Sequence, residues 1–157
     1  MAYIHLTTFI EAPCERVFDL SRHVTVHKQS MTKYKETIVN SISGLMELND
    51  EVIWKARHLF KERFLTMKIS AMKKPGYFSD EQKKGDFKMM KHEHYFKPVT
   101  NGTLMIDQFT YELPFGVIGK LTNKLYLEKY LRKLLSERNA VIKQIAESNQ
   151  WKQYLNT

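Results

Sequence analysis

The sequence feature that most constrains the fold is an uninterrupted amphipathic run from Val117 to about Ser148. Apolar residues recur in this run at gaps mostly of three and four, with lysine and arginine between them: Ile118, Leu121, Leu125, Leu127, Leu131, Leu134, Leu135, Val141, Ile142 and Ile145. This spacing predicts one long helix with an apolar stripe, preceded by a turn at Pro114 and Gly116. Because roughly 30 residues span about 45 Å, the helix needs a broad sheet to pack against.

Between residues 37 and 113 the sequence alternates between strand-like segments and turns. The turn signals are Asn49-Asp50, Phe60-Lys61-Glu62, Pro75-Gly76, Gly85-Asp86 and Asn101-Gly102. They predict strands at 3–10, 37–48, 51–60, 63–73, 77–83, 87–98 and 103–113. Pro13 and the apolar residues after it indicate two short helices behind the first strand. We therefore predict an α+β, helix-grip architecture: a seven-stranded antiparallel sheet wrapped around a long C-terminal helix.

Length and composition favour a single globular domain that covers residues 1–157. Of the 157 residues, 43% are hydrophobic and 27% are charged, which is enough for an ordinary buried core. No apolar run reaches the ~20 residues of a membrane-spanning helix, and the N-terminal sequence lacks the basic region of a signal peptide. The single cysteine, Cys14, excludes an internal disulfide. We therefore expect a cytoplasmic location.

The formal net charge of +8 is concentrated towards the C-terminus. Residues 117–157 hold 8 Lys and Arg against 3 Asp and Glu, a surplus of five. The basic positions assigned to the outer helix face are Lys120, Lys124, Lys129, Arg132, Lys133, Arg138 and Lys143. A solvated helix face is the simpler interpretation, and weak contact with an anionic membrane is the alternative. Specific nucleic-acid binding is not expected, because no motif for it accompanies the charge.

Alternation along the predicted strands separates an inward face from an outward face. The inward faces are mostly apolar, but they also carry His58, Asp80, Gln82, His92, His94, Asp107 and Tyr111. A solid core would not collect so many polar groups, whereas a cavity for a small molecule would. The residues expected to contact this ligand are Trp54, His58, Met67, Phe78, Asp80, Gln82, Met90, His92, His94, Asp107, Phe109, Tyr111, Leu121 and Leu125.

Several motifs, together with the order of elements, are similar to those of a known superfamily. The motifs are Phe9-x-x-Ala12-Pro13, Val52-x-Trp54-x-Ala56-x-His58, Phe78-x-Asp80-x-Gln82, His92-x-His94-x-Phe96, Gly102-Thr103-x-Met105-x-Asp107, Pro114-Phe115-Gly116 and Arg138-Asn139. Over nearly the whole chain they resemble the START/SRPBCC helix-grip superfamily, in particular a bacterial branch near the polyketide cyclase/dehydrase-like and coenzyme-Q-binding proteins. The resemblance implies a sheet that encloses an apolar tunnel for lipids, isoprenoids, polyketides or hormones. It carries over no catalytic residues.

The expected function is binding, as a carrier or sensor, of a small and largely apolar molecule such as a lipid, an isoprenoid or quinone, or a polyketide. We place this ligand between the sheet and the C-terminal helix. The Val117–Leu127 end of that helix is expected to line or gate the mouth of the cavity, and the Leu134–Ile145 end to seal the core.

An enzyme is the alternative interpretation. In that case a polyketide cyclase/dehydrase-like reaction would use the inward His/Asp cluster for acid–base chemistry, with His92, His94 and Asp107 as the candidate residues. No nucleophile elbow, phosphate-binding glycine loop or H-E-x-x-H motif supports this alternative. No cofactor is expected. Two histidines on one strand are a weak metal signal, so no metal is expected either.

Overall fold

The computed structural model describes residues 1–114 and 121–155, without the side chains of residues 121–123. The strands are β1 (Ala2–Ile10), β2 (Thr37–Ile38), β3 (Glu51–His58), β4 (Lys61–Lys73), β5 (Tyr77–Lys84), β6 (Met89–Val99) and β7 (Gly102–Glu112). The helices are α1 (Cys14–Ser21), α2 (Val24–Ser30), α3 (Leu121–Glu147) and α4 (Lys152–Leu155), with 3₁₀ turns at Thr32–Tyr34 and Asn149–Trp151. The predicted α+β class and order of elements are confirmed.

All seven strands form one antiparallel sheet in the order β1-β7-β6-β5-β4-β3-β2. Strands β2 to β7 follow one another as a meander, and β1 pairs with the last strand, β7, so that Leu6 lies opposite Asp107. Because β1 and β2 lie at opposite edges, α1 and α2 connect the two edges of the sheet. Helix α3 then contacts α1, α2 and β1. No helix in the described residues is long and apolar enough to cross a membrane.

The strand predicted at 37–48 is wrong for most of its length, because only Thr37–Ile38 pairs with β3. Beyond this pair, the side chain of Asn40 makes hydrogen bonds to the backbone of β3 in place of those that a paired strand would make. Its Nδ2 donates to the carbonyl of Glu51 at 2.8 Å, and its Oδ1 accepts from the amide of Ile53 at 3.0 Å. Asparagine competes well for backbone groups in this way. The backbone further on turns through Gly44, whose φ is 72°.

The turn between β3 and β4 lies earlier than the predicted Phe60-Lys61-Glu62. The structure turns at Leu59 and Phe60, with φ values of 50° and 66°, and Lys61 already pairs with His58. A two-residue connection with both φ values positive is what a type I′ hairpin turn requires. Leucine and phenylalanine rarely adopt this conformation because the Cβ atom crowds the following carbonyl.

Inward faces follow the predicted alternation on β6 and β7. Their buried residues are Met90, His92, His94, Phe96, Thr103, Met105, Asp107, Phe109 and Tyr111. On β5, alternation with Phe78 and Asp80 places Ser79 on the outer face, yet this residue is only 1% exposed. The register of β4 against β5 shifts between Ile69 and Ala71, and there the hydroxyls of Ser70 and Ser79 lie 2.8 Å apart. The extra residue, Ser70, belongs to β4, while β5 keeps a regular register with β6.

Helix α3 turns one continuous stripe towards the sheet. The buried stripe residues are Leu131, Leu135, Arg138, Ile142 and Ile145, separated by four, three, four and three positions. The assignment of Arg138 to the outer face is therefore wrong, since this side chain is 4% exposed. Towards its N-terminal end, the helix places Leu127, Tyr130 and Leu134 beside an open space.

Candidate functional site

A cavity of about 550 Å³ lies between the sheet and α3. Its volume falls within the roughly 300–1,000 Å³ range of small-molecule sites. Its apolar walls are built by Val24, Val52, Trp54, Ala56, Leu65, Met67, Ile69, Phe78, Met90, Phe109, Leu127, Leu131, Leu134 and Leu135. Polar side chains from β5, β6 and α3 interrupt this apolar lining at one part of the wall.

These polar side chains belong to a connected set that we name the His–Asp cluster: Asp80, His92, His94, Asp107, Arg138 and Asn139. Strand register explains how the first four meet. Asp80 lies opposite His92 across β5 and β6, and His94 lies opposite Asp107 across β6 and β7. Residues opposite one another in a sheet share a face, so all four project to the same side. Helix α3 adds the arginine and the asparagine from above.

Asp107 is the centre of the His–Asp cluster and is fully buried. Its Oδ1 lies 2.8 Å from Nε2 of His92 and 3.0 Å from Nδ1 of His94. Arg138 approaches the same oxygen at 3.5 Å, and Asn139 donates to Oδ2 at 2.6 Å. Burial alone would raise the pKa of Asp107, but hydrogen bonds from the two histidines and the charge of Arg138 hold this pKa well below its usual range.

The ionised Asp107 fixes which ring nitrogens carry hydrogen. A carboxylate only accepts hydrogen bonds, so Nε2 of His92 and Nδ1 of His94 must donate. Burial and the nearby His94 lower the pKa of His92 to about 4, outweighing the contact with Asp107. His92 is therefore neutral near pH 7, and its Nδ1 carries a lone pair.

The lone pair of His92 is available to the cavity. His92 lines the cavity, and its Nδ1 has no hydrogen-bond partner in the part of the chain that the structure describes. Within the same part, Tyr111 Oη is the only buried side-chain nitrogen or oxygen that lacks a partner. Nδ1 is thus not sealed in the core, and it offers an acceptor to a molecule in the cavity.

His94 bridges two carboxylates. Its Nδ1 contacts Asp107, and its Nε2 lies 2.8 Å from Oδ2 of Asp80. Burial is the largest single influence and tends to raise the pKa of Asp80, but the hydrogen bond with His94 and the charge interactions with His94, His92 and Arg138 together outweigh it, so the pKa is lowered. Both contacts of His94 are favourable only when each ring nitrogen bears a hydrogen or when a cation lies between the ring and Asp80.

A second polar group lies elsewhere on the wall, around His58. Its Nδ1 is 2.7 Å from the hydroxyl of Tyr130 on α3, and the ring of Tyr34 lies beside it with centroids 5.0 Å apart. Burial lowers the pKa of His58. These contacts join β3 to α3 and are separate from the His–Asp cluster.

Nine of the fourteen residues predicted to contact a ligand line the cavity: Trp54, His58, Met67, Phe78, Asp80, Met90, His92, His94 and Phe109. Three others lie outside the lining. The amide of Gln82 bonds to the backbone of Phe87 at 2.7 Å, Asp107 lies behind the two histidines, and Tyr111 is packed in the core.

The two predicted contacts on α3 have different outcomes. Leu125 is 57% exposed, so its assignment to the lining is wrong. It lies beside the inward stripe, and Leu127 occupies the wall instead. The side chain of Leu121 lies outside the described residues, as does the 117–120 part of the predicted gate, including Gly119.

The residues that sequence analysis did not assign to the site are mainly Arg138, Asn139 and Tyr130. A signal for Arg138 was present, because it continues the apolar stripe between Leu135 and Ile142. An arginine on a buried stripe needs a buried anion, which points to one of the inward aspartates. The hydroxyl of Tyr130 carries no such signal in the sequence.

Comparison with solved structures identifies the fold. A START superfamily protein from Mycobacterium smegmatis superposes with a TM-score of 0.67 at 13% identity, over 91% of this chain and 98% of that chain. The fold is START-like. TTHA0849 from Thermus thermophilus shares this START-like fold with a TM-score of 0.70 at 20% identity, over 90% and 97% of the two chains. The predicted resemblance to the helix-grip superfamily is confirmed at the level of fold.

A further match to the START-like fold is StfQ, the di-domain ARO/CYC from the steffimycin biosynthetic pathway. Its TM-score is 0.73 at 9% identity, over 92% of this chain and 50% of StfQ, so this chain spans half of that protein. No protein-family model matches the sequence, and no curated protein matches it. At these identities the likeness is one of fold.

Proposed function

We propose that this chain binds a small, largely apolar molecule inside the cavity, as a carrier or sensor. The observation that carries the proposal is the cavity of about 550 Å³, whose largely apolar walls include the convergent polar groups of the His–Asp cluster. This combination is typical of ligand sites, in which apolar walls provide affinity and a few polar groups fix orientation. Lipids, isoprenoids or quinones, and polyketides are the ligand classes of suitable size and polarity.

His92 defines the polar end of the ligand. Its cavity-facing Nδ1 is an acceptor, so the best partner is a hydroxyl or another donor group on the ligand. Arg138 is already engaged within the protein, because it donates to Asp107, to Asn139 at 2.9 Å and to the carbonyl of Ser21 at 3.3 Å. A ligand that lacks a donor would leave the Nδ1 atom unpaired when the cavity closes around it, which weakens binding.

Binding is tested with a matched pair of substitutions on β4. Met67 lines the cavity, whereas its neighbour Lys68 projects from the opposite face of the strand. We expect Met67→Trp to fill the cavity and weaken the binding of the fluorescent probe 1-anilinonaphthalene-8-sulfonate about tenfold or more, a loss of at least ~1.4 kcal/mol. Lys68→Trp should leave this binding unchanged.

Native mass spectrometry and organic extraction of the purified protein identify the natural ligand. An apolar molecule should accompany the wild-type protein and be missing from Met67→Trp. Equal probe binding by wild-type protein, Met67→Trp and Lys68→Trp would refute the cavity as the binding site.

An enzyme of the cyclase type is the second candidate, favoured by the arrangement of His92 and Asp107. A neutral imidazole held in one tautomer by a buried carboxylate is the usual geometry of a general base. In such a reaction Nδ1 would take a proton from a carbon next to a ketone of the substrate. With a poly-β-ketone thioester as substrate, His92→Gln should then reduce turnover roughly 10²-fold or more while retaining probe binding. A carrier predicts no turnover by the wild-type protein.

A further inference from the structure

We propose that Asp80, His92 and His94 bind one divalent transition-metal ion on the wall of the cavity. Each of the three offers one ligand atom, and these atoms lie within 4.8 Å of one another. Two imidazoles and one carboxylate are a ligand set that first-row transition metals accept, and three protein ligands leave coordination positions open. All three side chains line the cavity, so the open positions face the space where a ligand binds.

Asp107 prepares both histidines to act as metal ligands. It accepts a hydrogen bond from Nε2 of His92 and from Nδ1 of His94, so the opposite nitrogen of each ring is the one that can bind a metal, in the case of His94 in place of its present contact with Asp80. Those nitrogens are Nδ1 of His92 and Nε2 of His94. A carboxylate that orients a ligating imidazole from behind is a common feature of metal sites, because it fixes the tautomer and the ring plane. Here one buried carboxylate orients two imidazoles at once.

The charge of the His–Asp cluster favours an added cation. Asp80 and Asp107 contribute two negative charges, and Arg138 contributes one positive charge. Histidines that bind a metal are neutral, so in the metal-bound site the two carboxylates exceed the arginine by one negative charge. The 2.8 Å contact between Nε2 of His94 and Oδ2 of Asp80 is favourable with a hydrogen on that nitrogen or with a cation beside both atoms, and a metal ion would supply the cation. A divalent ion would leave the site with one net positive charge. With Nδ1 of His92 bound to the metal, the group of a cavity ligand that suits the site is an anionic oxygen, whereas the metal-free site suits a hydrogen-bond donor.

The donor set bears on the choice of metal. Imidazole nitrogen is a ligand for zinc, copper, iron and nickel, and carboxylate oxygen is a ligand for manganese as well. Two histidines and one carboxylate on one face of an octahedron are typical of iron(II) and related ions. Calcium and magnesium prefer sites built from oxygen alone. We therefore expect Fe²⁺, Co²⁺ or Mn²⁺ to bind in preference to Ca²⁺ or Mg²⁺.

Cobalt(II) provides the test, because its visible absorption reports binding and coordination number directly. The full chain is prepared without a polyhistidine tag, treated with a chelator and titrated with CoCl₂. We expect one Co²⁺ per chain, with a spectrum of five- or six-coordinate cobalt, and X-ray absorption at the cobalt edge should show two imidazole ligands. A spectrum without saturation near one equivalent, or without imidazole scattering, would overturn the proposal whatever the variants do.

Variants assign the site to the three side chains. Asp80→Asn and His92→Gln should each weaken Co²⁺ binding by roughly 10-fold or more, comparable to the effect of altering a ligand's surroundings. His58→Gln is the matched control, because His58 lines the same cavity outside the His–Asp cluster, and it should retain wild-type affinity. Far-ultraviolet circular dichroism checks that each variant is folded. Wild-type affinity in a folded Asp80→Asn protein would contradict the assignment.

This proposal goes beyond ligand binding and is tested apart from it. The cobalt titration uses no apolar molecule, and the 1-anilinonaphthalene-8-sulfonate assay uses no metal. Loss of probe binding in Met67→Trp with an intact cobalt spectrum would support both proposals. A protein that binds the probe but not cobalt would refute the metal site alone.

Discussion

Among single residues, Asp107 has the largest influence on the polar side chains around the cavity. Its two oxygens accept from His92, His94, Arg138 and Asn139, and all five side chains are buried. A buried carboxylate with four donors orders side chains from two strands and one helix. It also compensates the charge of Arg138, a buried arginine that is only 4% exposed.

We predict that Asp107→Asn lowers the free energy of unfolding by about 3–5 kcal/mol, because removing one partner leaves the buried Arg138 without its counter-charge. Urea denaturation measures the change. Asp86→Asn is the control: Asp86 pairs with Arg63 near the surface, where an ion pair contributes about 1 kcal/mol or less. Similar losses in both variants would contradict the central position of Asp107.

The burial of His58 makes the free energy of unfolding depend on pH. Burial lowers its pKa below the ordinary value of 6.5, and burial lowers the pKa of His23 as well. The unfolded chain then binds protons more readily than the folded chain, so stability is complete above pH 6.5 and is lost as pH falls towards the lowered pKa values. We predict that unfolding becomes easier between about pH 7 and pH 5.

His58→Asn should reduce this slope, because it removes one of the protons taken up on unfolding. The measurement is the free energy of unfolding in urea at several pH values. The exposed His5, substituted in the same way, controls for the loss of an imidazole from the chain. An unchanged slope in His58→Asn would show that burial of this ring does not govern the acid sensitivity.

Among the elements, the β3–β4 hairpin is held in an unfavourable backbone conformation. Leu59 and Phe60 both have positive φ, and the Phe60 side chain is 90% exposed, so little packing compensates. Left-handed backbone costs about 1–2 kcal/mol per residue for ordinary side chains. We predict that Leu59→Asn combined with Phe60→Gly raises the free energy of unfolding by about 1–2 kcal/mol.

Thermal denaturation of this double variant measures the gain. Asn101→Ala is the opposite control and should lower the melting temperature. Asn101 has a φ of 64°, and the substitution replaces asparagine, which tolerates this conformation, with alanine, which does not. If the melting temperature falls in both variants, packing of Leu59 or Phe60 stabilises the protein by more than the unfavourable backbone conformation costs.

The same two hairpins show what the sequence can predict about turns. Asn101-Gly102 was recognised because asparagine and glycine favour the backbone that a tight turn requires. Gly102 is also required sterically, since a Cβ atom there would lie 2.3 Å from the carbonyl oxygen of Ile10. Leu59 and Phe60 carry no turn signal, so the prediction placed that turn too late. The 37–48 segment looked strand-like, but the hydrogen bonds of Asn40 that replace the ladder depend on where β3 lies.

The sequence predicted which face of its strand each side chain of the candidate site occupies. It did not predict which of these side chains reach the cavity. Period-two alternation placed Asp80, His92, His94 and Asp107 on one face, because neighbouring strands in register share that property. Which groups reach the cavity depends on how closely α3 packs over each strand. The spacing between α3 and the strands determines that Asp107 lies behind the histidines. The local sequence does not encode this spacing.

For the whole molecule, the surplus of positive charge is smaller on the outer face of α3 than the sequence implied. Burial of Arg138 removes one positive charge from that face. Arg132 and Lys133 pair with Glu128 and Glu137, two of the three acidic residues already subtracted in the surplus of five. Exposed basic side chains remain, among them Lys124 and Lys129. A weak and salt-sensitive attraction to an anionic surface is what such a face supports.

We predict that vesicles containing phosphatidylserine retain a small fraction of the protein at low salt and release it near physiological ionic strength, where the Debye length is about 8 Å. Sedimentation with vesicles measures the bound fraction. Lys124→Glu with Lys129→Glu should abolish binding, whereas the same charge change at Lys83 and Lys97, exposed on β5 and β6, should reduce it less. Equal effects of the two pairs would indicate attraction by net charge alone.

The two halves of α3 also differ in how freely they can change during evolution. The C-terminal half holds Arg138 and Asn139 on Asp107 and buries Ile142 and Ile145, so most substitutions there are destabilising. The preceding half presents Leu127 and other leucines to an open cavity, where a changed side chain alters the shape of the space and disturbs few packed neighbours. Ligand preference can therefore diverge among descendants of this chain, or be redesigned, along one half of a single helix while the other half preserves the fold.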